Sequence, residues 1–156
     1  MQKIFRISSH HLSYQMKSAA HKAKQGMEIC GLLIQRNSQL FLLPVKNSTT
    51  EMGSYEIWPR WEQYAFKSRA ASNMAAAKRE VVGTYHSHPL SPAEPGTGDI
   101  LGTYPGAVML IISCWDKNAC LWRIRKGKAT RLILCSRPIQ KRLYIPVNRE
   151  AGIQDF

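Results

Sequence analysis

The segment Val81-Val82-Gly83-Thr84-Tyr85-His86-Ser87-His88-Pro89 constrains this 156-residue chain more than any other stretch. Its β-branched run predicts a strand, and the proline sets where that strand must end. Residues two apart in a strand point to one face, so the His86 and His88 imidazoles can reach a common point. Asp99 follows a loop in which Pro92, Pro95, Gly96 and Gly98 bar regular structure. Two imidazoles and one carboxylate leave a fourth position open for water, the ligand count of a catalytic rather than a structural zinc. The competing reading is two exposed histidines at a strand end and an aspartate that caps a helix.

Around this segment the chain alternates strands and helices. A strand over residues 3–7 runs into Ser8-Ser9, good N-cap residues, and Leu12, Met16, Ala19, Ala20 and Ala23 recur at helical spacing. A helix over 9–24 follows, ended by Gly26. Residues 29–34 read as a buried strand that turns at Asn37-Ser38 into a second strand over 39–45. Residues 47–54 form a polar loop. Pro59 then opens a second helix whose small or apolar face carries Trp61, Tyr64, Ala65, Ser68, Ser72, Ala75 and Ala76. After the histidine strand come a short helix from Asp99 to about Gly102 and strands over 107–114, 119–124 and 129–134. The order is mixed α/β, with a mixed and mostly antiparallel sheet flanked by helices. One domain is expected over 1–156, with a core over about 4–134 and a C-terminal extension over 136–156.

Composition excludes several classes. No apolar run approaches the ~20 residues of a membrane helix, and the basic N-terminus lacks the apolar core of a secretory signal. A cytoplasmic protein is the reading. The four cysteines, Cys30, Cys114, Cys120 and Cys135, contain no C-x-x-C pair, which favours buried reduced thiols over a zinc ribbon or disulfides. The formal charge is +12, and Lys117, Arg123, Arg125, Lys126, Lys128, Arg131, Arg137, Lys141 and Arg142 make a late basic stripe. Such a stripe suits nucleic acid or an acidic partner, or is a solvated sheet edge.

A metal-activated water needs a base. Glu28, an acid entering the apolar run Ile29-Cys30-Gly31-Leu32-Leu33, is the candidate, because desolvation there raises a carboxyl towards working pH. The bland alternative is an exposed acid in a helix–strand connection. His10, His11 and His21 are expected at the surface of the first helix. A cysteine protease built on Cys30 is disfavoured, since that thiol is expected to be buried.

Glu28-Ile29-Cys30-Gly31-Leu32-Leu33, then His86-Ser87-His88-Pro89 and Asp99, resembles the JAMM or MPN-plus (JAB-like) metalloprotease family, in its compact prokaryotic form. The resemblance implies a single JAMM/MPN-like (cytidine-deaminase-like) fold. It also implies that His86, His88 and Asp99 bind zinc and that Glu28 is the general acid/base acting on a zinc-bound water. The implied reaction is hydrolysis of the peptide or isopeptide bond after the C-terminal glycine of a ubiquitin-like or sulfur-carrier protein. An extended substrate tail would dock by β-addition beside the site. The chain departs from the family at Gly96, where the motif has a serine that helps stabilise the oxyanion; Thr97, Ser87 or the Gly96 N–H are the available substitutes. A non-catalytic scaffold of the same fold and a basic nucleic-acid-binding module are the alternative functions.

Overall fold

The computed structural model describes residues 2–47, 81–103 and 105–137. Apolar segments, some alternating and some continuous, build seven strands among them: β1 (Ile4–Ser8), β2 (Cys30–Arg36), β3 (Gln39–Val45), β4 (Val81–His88), β5 (Val108–Ser113), β6 (Asn118–Arg125) and β7 (Lys128–Arg137). Two helices accompany them, α1 (Ser9–Ala23) and α2 (Thr97–Leu101). The second helix expected from Pro59 onward, and most of the C-terminal extension, lie outside the described residues. The last strand runs three residues beyond the expected 134, because Cys135, Ser136 and Arg137 pair with β1.

The sheet has α1 against one face, as a flanked sheet would, but it is not open. It closes into a barrel in the order β1-β3-β2-β4-β5-β6-β7. Closure comes from β1, which lies parallel to β7 from Ile4↔Ile133 to Ser8↔Arg137 and touches β3 at Arg6↔Gln39 and Ile7↔Leu40. Four of the seven pairings are antiparallel and three parallel, so the mixed, mostly antiparallel reading holds. Closure differs from the open sheet expected because β1 pairs on both of its edges, joining β3 to β7.

One face of the sheet packs against α1. Phe5, Ile7, Leu33, Leu40, Leu42, Tyr85, Leu110 and Leu121 are buried there with Leu12 and Ala19 of the helix. The Ser8 hydroxyl accepts a hydrogen bond from the His11 N–H at 3.3 Å and starts α1 as expected. Gln15, polar and buried, was not among the expected core residues; the Tyr85 hydroxyl donates to its Oε1 at 3.3 Å. That bond satisfies two groups that would otherwise be costly to bury.

The opposite face carries His86 and His88 at the C-terminal end of β4. Cys30 pairs with His86, and His86 with Ile111, so these three share that face. Met109, Ile111 and Cys120 pack there under Ala93 of the loop that follows β4, beside Trp122. All four cysteines are free thiols; Cys30 and Cys120 are buried as expected, whereas Cys114 and Cys135 are half-buried. Among the described residues the basic stripe is not confined to one face. Arg131 pairs with Trp122 and Arg123 with Thr130, so strand alternation sends Arg131 and Arg123 to opposite sides.

Two glycines let these layers approach. A Cβ on Gly83 would overlap the Val108 carbonyl of β5, and one on Gly31 would overlap the Leu43 carbonyl and the Tyr85 ring. Gly98, by contrast, has open space around its Cβ position. Gly83→Ala is therefore expected to destabilise the fold by about 3 kcal/mol, because backbone rather than a flexible side chain must yield. Gly98→Ala should stay within about 1 kcal/mol of the parent. Urea unfolding of the two variants beside the parent checks the contrast; a Gly83→Ala protein as stable as Gly98→Ala contradicts it.

Candidate metal centre

Two segments far apart in the chain are fastened together before any ligand is placed. The Ser87 N–H donates to the Ile29 carbonyl at 3.0 Å, and the Ile29 N–H donates to the Ser87 hydroxyl at 2.8 Å. This reciprocal pair holds the Glu28–Cys30 entry to β2 against the end of β4. The Asn47 side-chain amide donates to the Glu28 carbonyl at 3.1 Å and secures the same segment from β3's exit. Ser87 is fully buried, and its hydroxyl oxygen serves this junction. Strand alternation also turns it away from the face that carries His86 and His88.

On that face the two imidazoles converge. Their Nε2 atoms lie 3.0 Å apart. His86 Nε2 is 3.1 Å from Asp99 Oδ1, and His88 Nε2 is 3.4 Å from Asp99 Oδ2. Asp99 is brought in by α2, which opens at Thr97, two residues earlier than expected. The Gly96 N–H donates to Asp99 Oδ2 at 2.8 Å, the half of a capping box that needs no N-cap side chain. That N–H is thus occupied in orienting a ligand. Thr97 is exposed on the first turn of α2.

The Pro92 carbonyl lies 2.8 Å from His88 Nδ1. A carbonyl only accepts, so Nδ1 carries the hydrogen; Nε2 then donates to Asp99 when the ring is protonated and keeps its lone pair, free for a metal, when the ring is neutral. Carbonyl-held imidazoles of this kind are the usual outer support of metal-binding histidines. An ion with bonds of about 2.0–2.1 Å in a tetrahedron would set its ligand atoms about 3.3–3.4 Å apart. The two imidazole Nε2 atoms, 3.0 Å apart, are close to that edge, and with one carboxylate oxygen from Asp99 all three ligand atoms lie within 4.8 Å of one another. His86, His88 and Asp99 together could hold a metal ion.

Electrostatics separate the four ionisable groups. Burial acts to raise the Asp99 pKa, but hydrogen bonds from His86, His88 and the Gly96 N–H outweigh it and hold the carboxyl well below the usual range. Burial lowers the His86 pKa and prevails over the attraction of Asp99, so that ring is held neutral. For His88 burial also lowers, yet the bonds to Asp99 and Pro92 win, and its pKa is raised. Glu28, only 7 % exposed, is pushed up to about 7 by burial, with His88 attracting and Asp99 repelling its charge. A carboxyl close enough to feel both ligand side chains and poised at neutrality is suited to proton transfer. Cys30 is 2 % exposed; burial and the neighbouring Glu28 push its thiol up to about 12, which makes it a poor nucleophile.

His10 and His21 are exposed and His11 half-buried, all on α1 and away from this centre. The strand that carries the ligands has no open edge there: Cys30 of β2 lies on one side of His86 and Ile111 of β5 on the other. Addition of a substrate strand to β4 is therefore sterically closed, a consequence of pairing that β4's sequence does not reveal. The support from Pro92 was likewise absent from the sequence reading; its signal is a proline four residues after the second histidine.

No curated protein matches this chain. Among solved structures, a protein from Desulfitobacterium hafniense has a similar fold, with a TM-score of 0.65, 22 % identity, 90 % of this chain covered and 97 % of that one. Weaker likenesses extend to a structure described as a metalloprotease-like zinc site in the proteasome and signalosome, at 15 % identity and a TM-score of 0.49, covering 85 % of this chain and 99 % of that one. A JAB1/MPN domain protein from Archaeoglobus fulgidus gives 19 % identity and a TM-score of 0.47, with 85 % of this chain and 100 % of that one covered. Residues 11–125 match the profile of prokaryotic homologs of the JAB domain, a span that takes in Glu28, both histidines and Asp99. This chain belongs to the family of prokaryotic homologs of the JAB domain.

Proposed function

We propose that this protein is a zinc-dependent peptidase or isopeptidase that cleaves the bond after the C-terminal glycine of a ubiquitin-like or sulfur-carrier protein. The observation that carries the reading is the convergence of His86, His88 and Asp99 beside a buried carboxyl held near neutrality. His86, His88 and Asp99 would hold the metal. Zinc bound there supplies a Lewis acid for the scissile carbonyl and brings the pKa of a water towards neutrality. Glu28 takes a proton on its carboxylate and delivers it to the leaving amine. Its burial keeps the proton affinities of donor and acceptor close enough for both transfers. The Ser87–Ile29 junction holds this carboxyl in register with the histidines.

A metal-bearing scaffold without peptidase activity is the second reading, and Gly96 favours it. No hydroxyl is present there, and the Gly96 N–H is already engaged with Asp99. The basic stripe supports nucleic-acid binding less well, since its arginines are divided between two faces. No helix among the described residues is long and apolar enough to cross a membrane. We take the cytoplasm as the place of action.

Glu28→Gln is expected to retain zinc and to lose about 10²–10⁴-fold in cleavage of a ubiquitin-like C-terminal fusion. Retained zinc with unchanged cleavage refutes the assigned base. Because Glu28 must be ionised to act, activity should fall as pH drops through its pKa. A cation among the ligands moves that limb to about pH 7 or below, since it favours the charged carboxylate. The pH–rate profile of kcat/KM reads it directly.

Zinc binding should weaken as pH falls through the histidine range, because the raised pKa of His88 makes a proton the metal's competitor. Titration calorimetry in buffers of different ionisation enthalpy should record proton release near neutral pH. Asp99→Asn should lower zinc affinity by at least about 10²-fold.

Among the described residues there is room for the missing hydroxyl: a Cβ on Gly96 would meet Asp99 Oδ2 at 3.6 Å, an ordinary contact, and the backbone there is extended. Gly96→Ser is therefore expected to fold normally and to raise kcat by up to about 10²-fold. A fold-competent Gly96→Ser protein with no gain over a detectable parent activity would assign the oxyanion donor elsewhere.

A further inference from the structure

Three consecutive carbonyls in the loop after β4 each meet a side chain from a different strand. The Ser113 hydroxyl of β5 donates to the Ser91 carbonyl at 2.7 Å. His88 Nδ1 of β4 donates to the Pro92 carbonyl at 2.8 Å. Trp122 Nε1 of β6 donates to the Ala93 carbonyl at 2.9 Å. The middle bond is the one that decides which ring nitrogen of His88 faces Asp99. The outer two hold the backbone on either side of it.

We propose that Ser113 and Trp122 are positioning residues that set the tautomer and aim of His88 by clamping the carbonyls either side of Pro92. Without a partner for Nδ1, a neutral imidazole is free to place its hydrogen on either nitrogen. The Pro92 carbonyl removes that choice only while it stays within hydrogen-bond reach. Prolines at 89, 92 and 95 limit the loop's torsions but leave it only two backbone N–H donors between Pro92 and Pro95. One of these, the Glu94 N–H, turns back to the Pro92 carbonyl itself at 2.8 Å. Anchorage to the barrel at Ser91 and Ala93 is consequently supplied by side chains.

Both anchors are placed to be rigid. Ser113 is 1 % exposed and lies beside His88 in the parallel β4–β5 register. Its hydroxyl oxygen also accepts the Trp115 and Asp116 N–H groups at 3.2 Å each, which leaves its own hydrogen directed at Ser91. The Cys114 N–H donates to the His88 carbonyl at 3.0 Å, locking the two strands at the same point. Trp122 packs its ring beside Met109, Ile111, Cys120 and Ala93, so its N–H is aimed by burial of the indole.

The test uses the full-length protein as wild type and as Trp122→Phe, Ser113→Ala and Ser113→Thr. Long-range nitrogen–proton NMR of the metal-free proteins, at a pH where His88 is neutral, reads the His88 tautomer directly. Zinc affinity is measured separately by competition with a chromophoric chelator. Trp122→Phe and Ser113→Ala should each move His88 from a single Nδ1–H tautomer towards a mixture, and weaken zinc binding by about tenfold. Ser113→Thr, which keeps the hydroxyl, should restore both. Thermal unfolding of the metal-free variants separates this effect from a general loss of fold.

An unchanged tautomer in a folded variant overturns the role of that residue. So does unchanged zinc affinity, where the wild type binds zinc. The affinity measurement rests on the zinc reading above, but the tautomer measurement does not. A wild type that binds no zinc while its variants shift the tautomer would refute that reading and uphold the clamp.

Discussion

Strand β4 is hydrogen-bonded along both edges, antiparallel to β2 and parallel to β5, and it is buried on both faces at its C-terminal end. Everything else is arranged around that double burial. One face sends Tyr85 into the apolar layer beneath α1, where only the glycine at 31 leaves room for its ring. The other presents two imidazoles that cannot be left without partners at such depth. Their demand is met from two directions, by a carboxylate on α2 and by a loop carbonyl. A site of this kind is precise because its histidines belong to a strand that cannot shift without breaking two ladders.

The division of charge within the cluster follows from depth. His86 and His88 see the same carboxylate, yet their pKa values move in opposite directions. His86 is fully enclosed, and desolvation dominates. His88 lies nearer the surface and gains a second acceptor in Pro92, so attraction prevails. Glu28 meets a third balance, with burial outweighing the one cation beside it. Three geometrically adjacent groups thus acquire three different protonation habits from small differences in enclosure.

Much of this was legible in the residues. The i, i+2 histidines before a proline gave the two converging imidazoles and the strand's end, because alternation and the missing proline N–H are local rules. Glu28 stood out as an acid entering an apolar run, and it is indeed buried. What escaped was non-local. Barrel closure depends on β1 finding β7, and the outer support of His88 depends on which loop carbonyl folds back. Ser87 looked like a site hydroxyl from its neighbours in sequence, but its bonds go to Ile29, 58 residues away. The charge count likewise suggested one basic surface, whereas strand pairing distributes it over two.

The closure of the barrel has a kinetic consequence. Strand β1 is made long before its principal partner, β7; Ile4 must wait for Ile133. Until then Phe5 and Ile7 have the short pairing with β3 and the apolar side chains of α1, β2 and β3 to cover them. Loop-closure entropy must be met before that long-range pairing returns anything. The nascent chain therefore carries β1 with one edge unpaired until β7 is made, and the sequence's surplus of positive charge is well suited to keeping such intermediates apart.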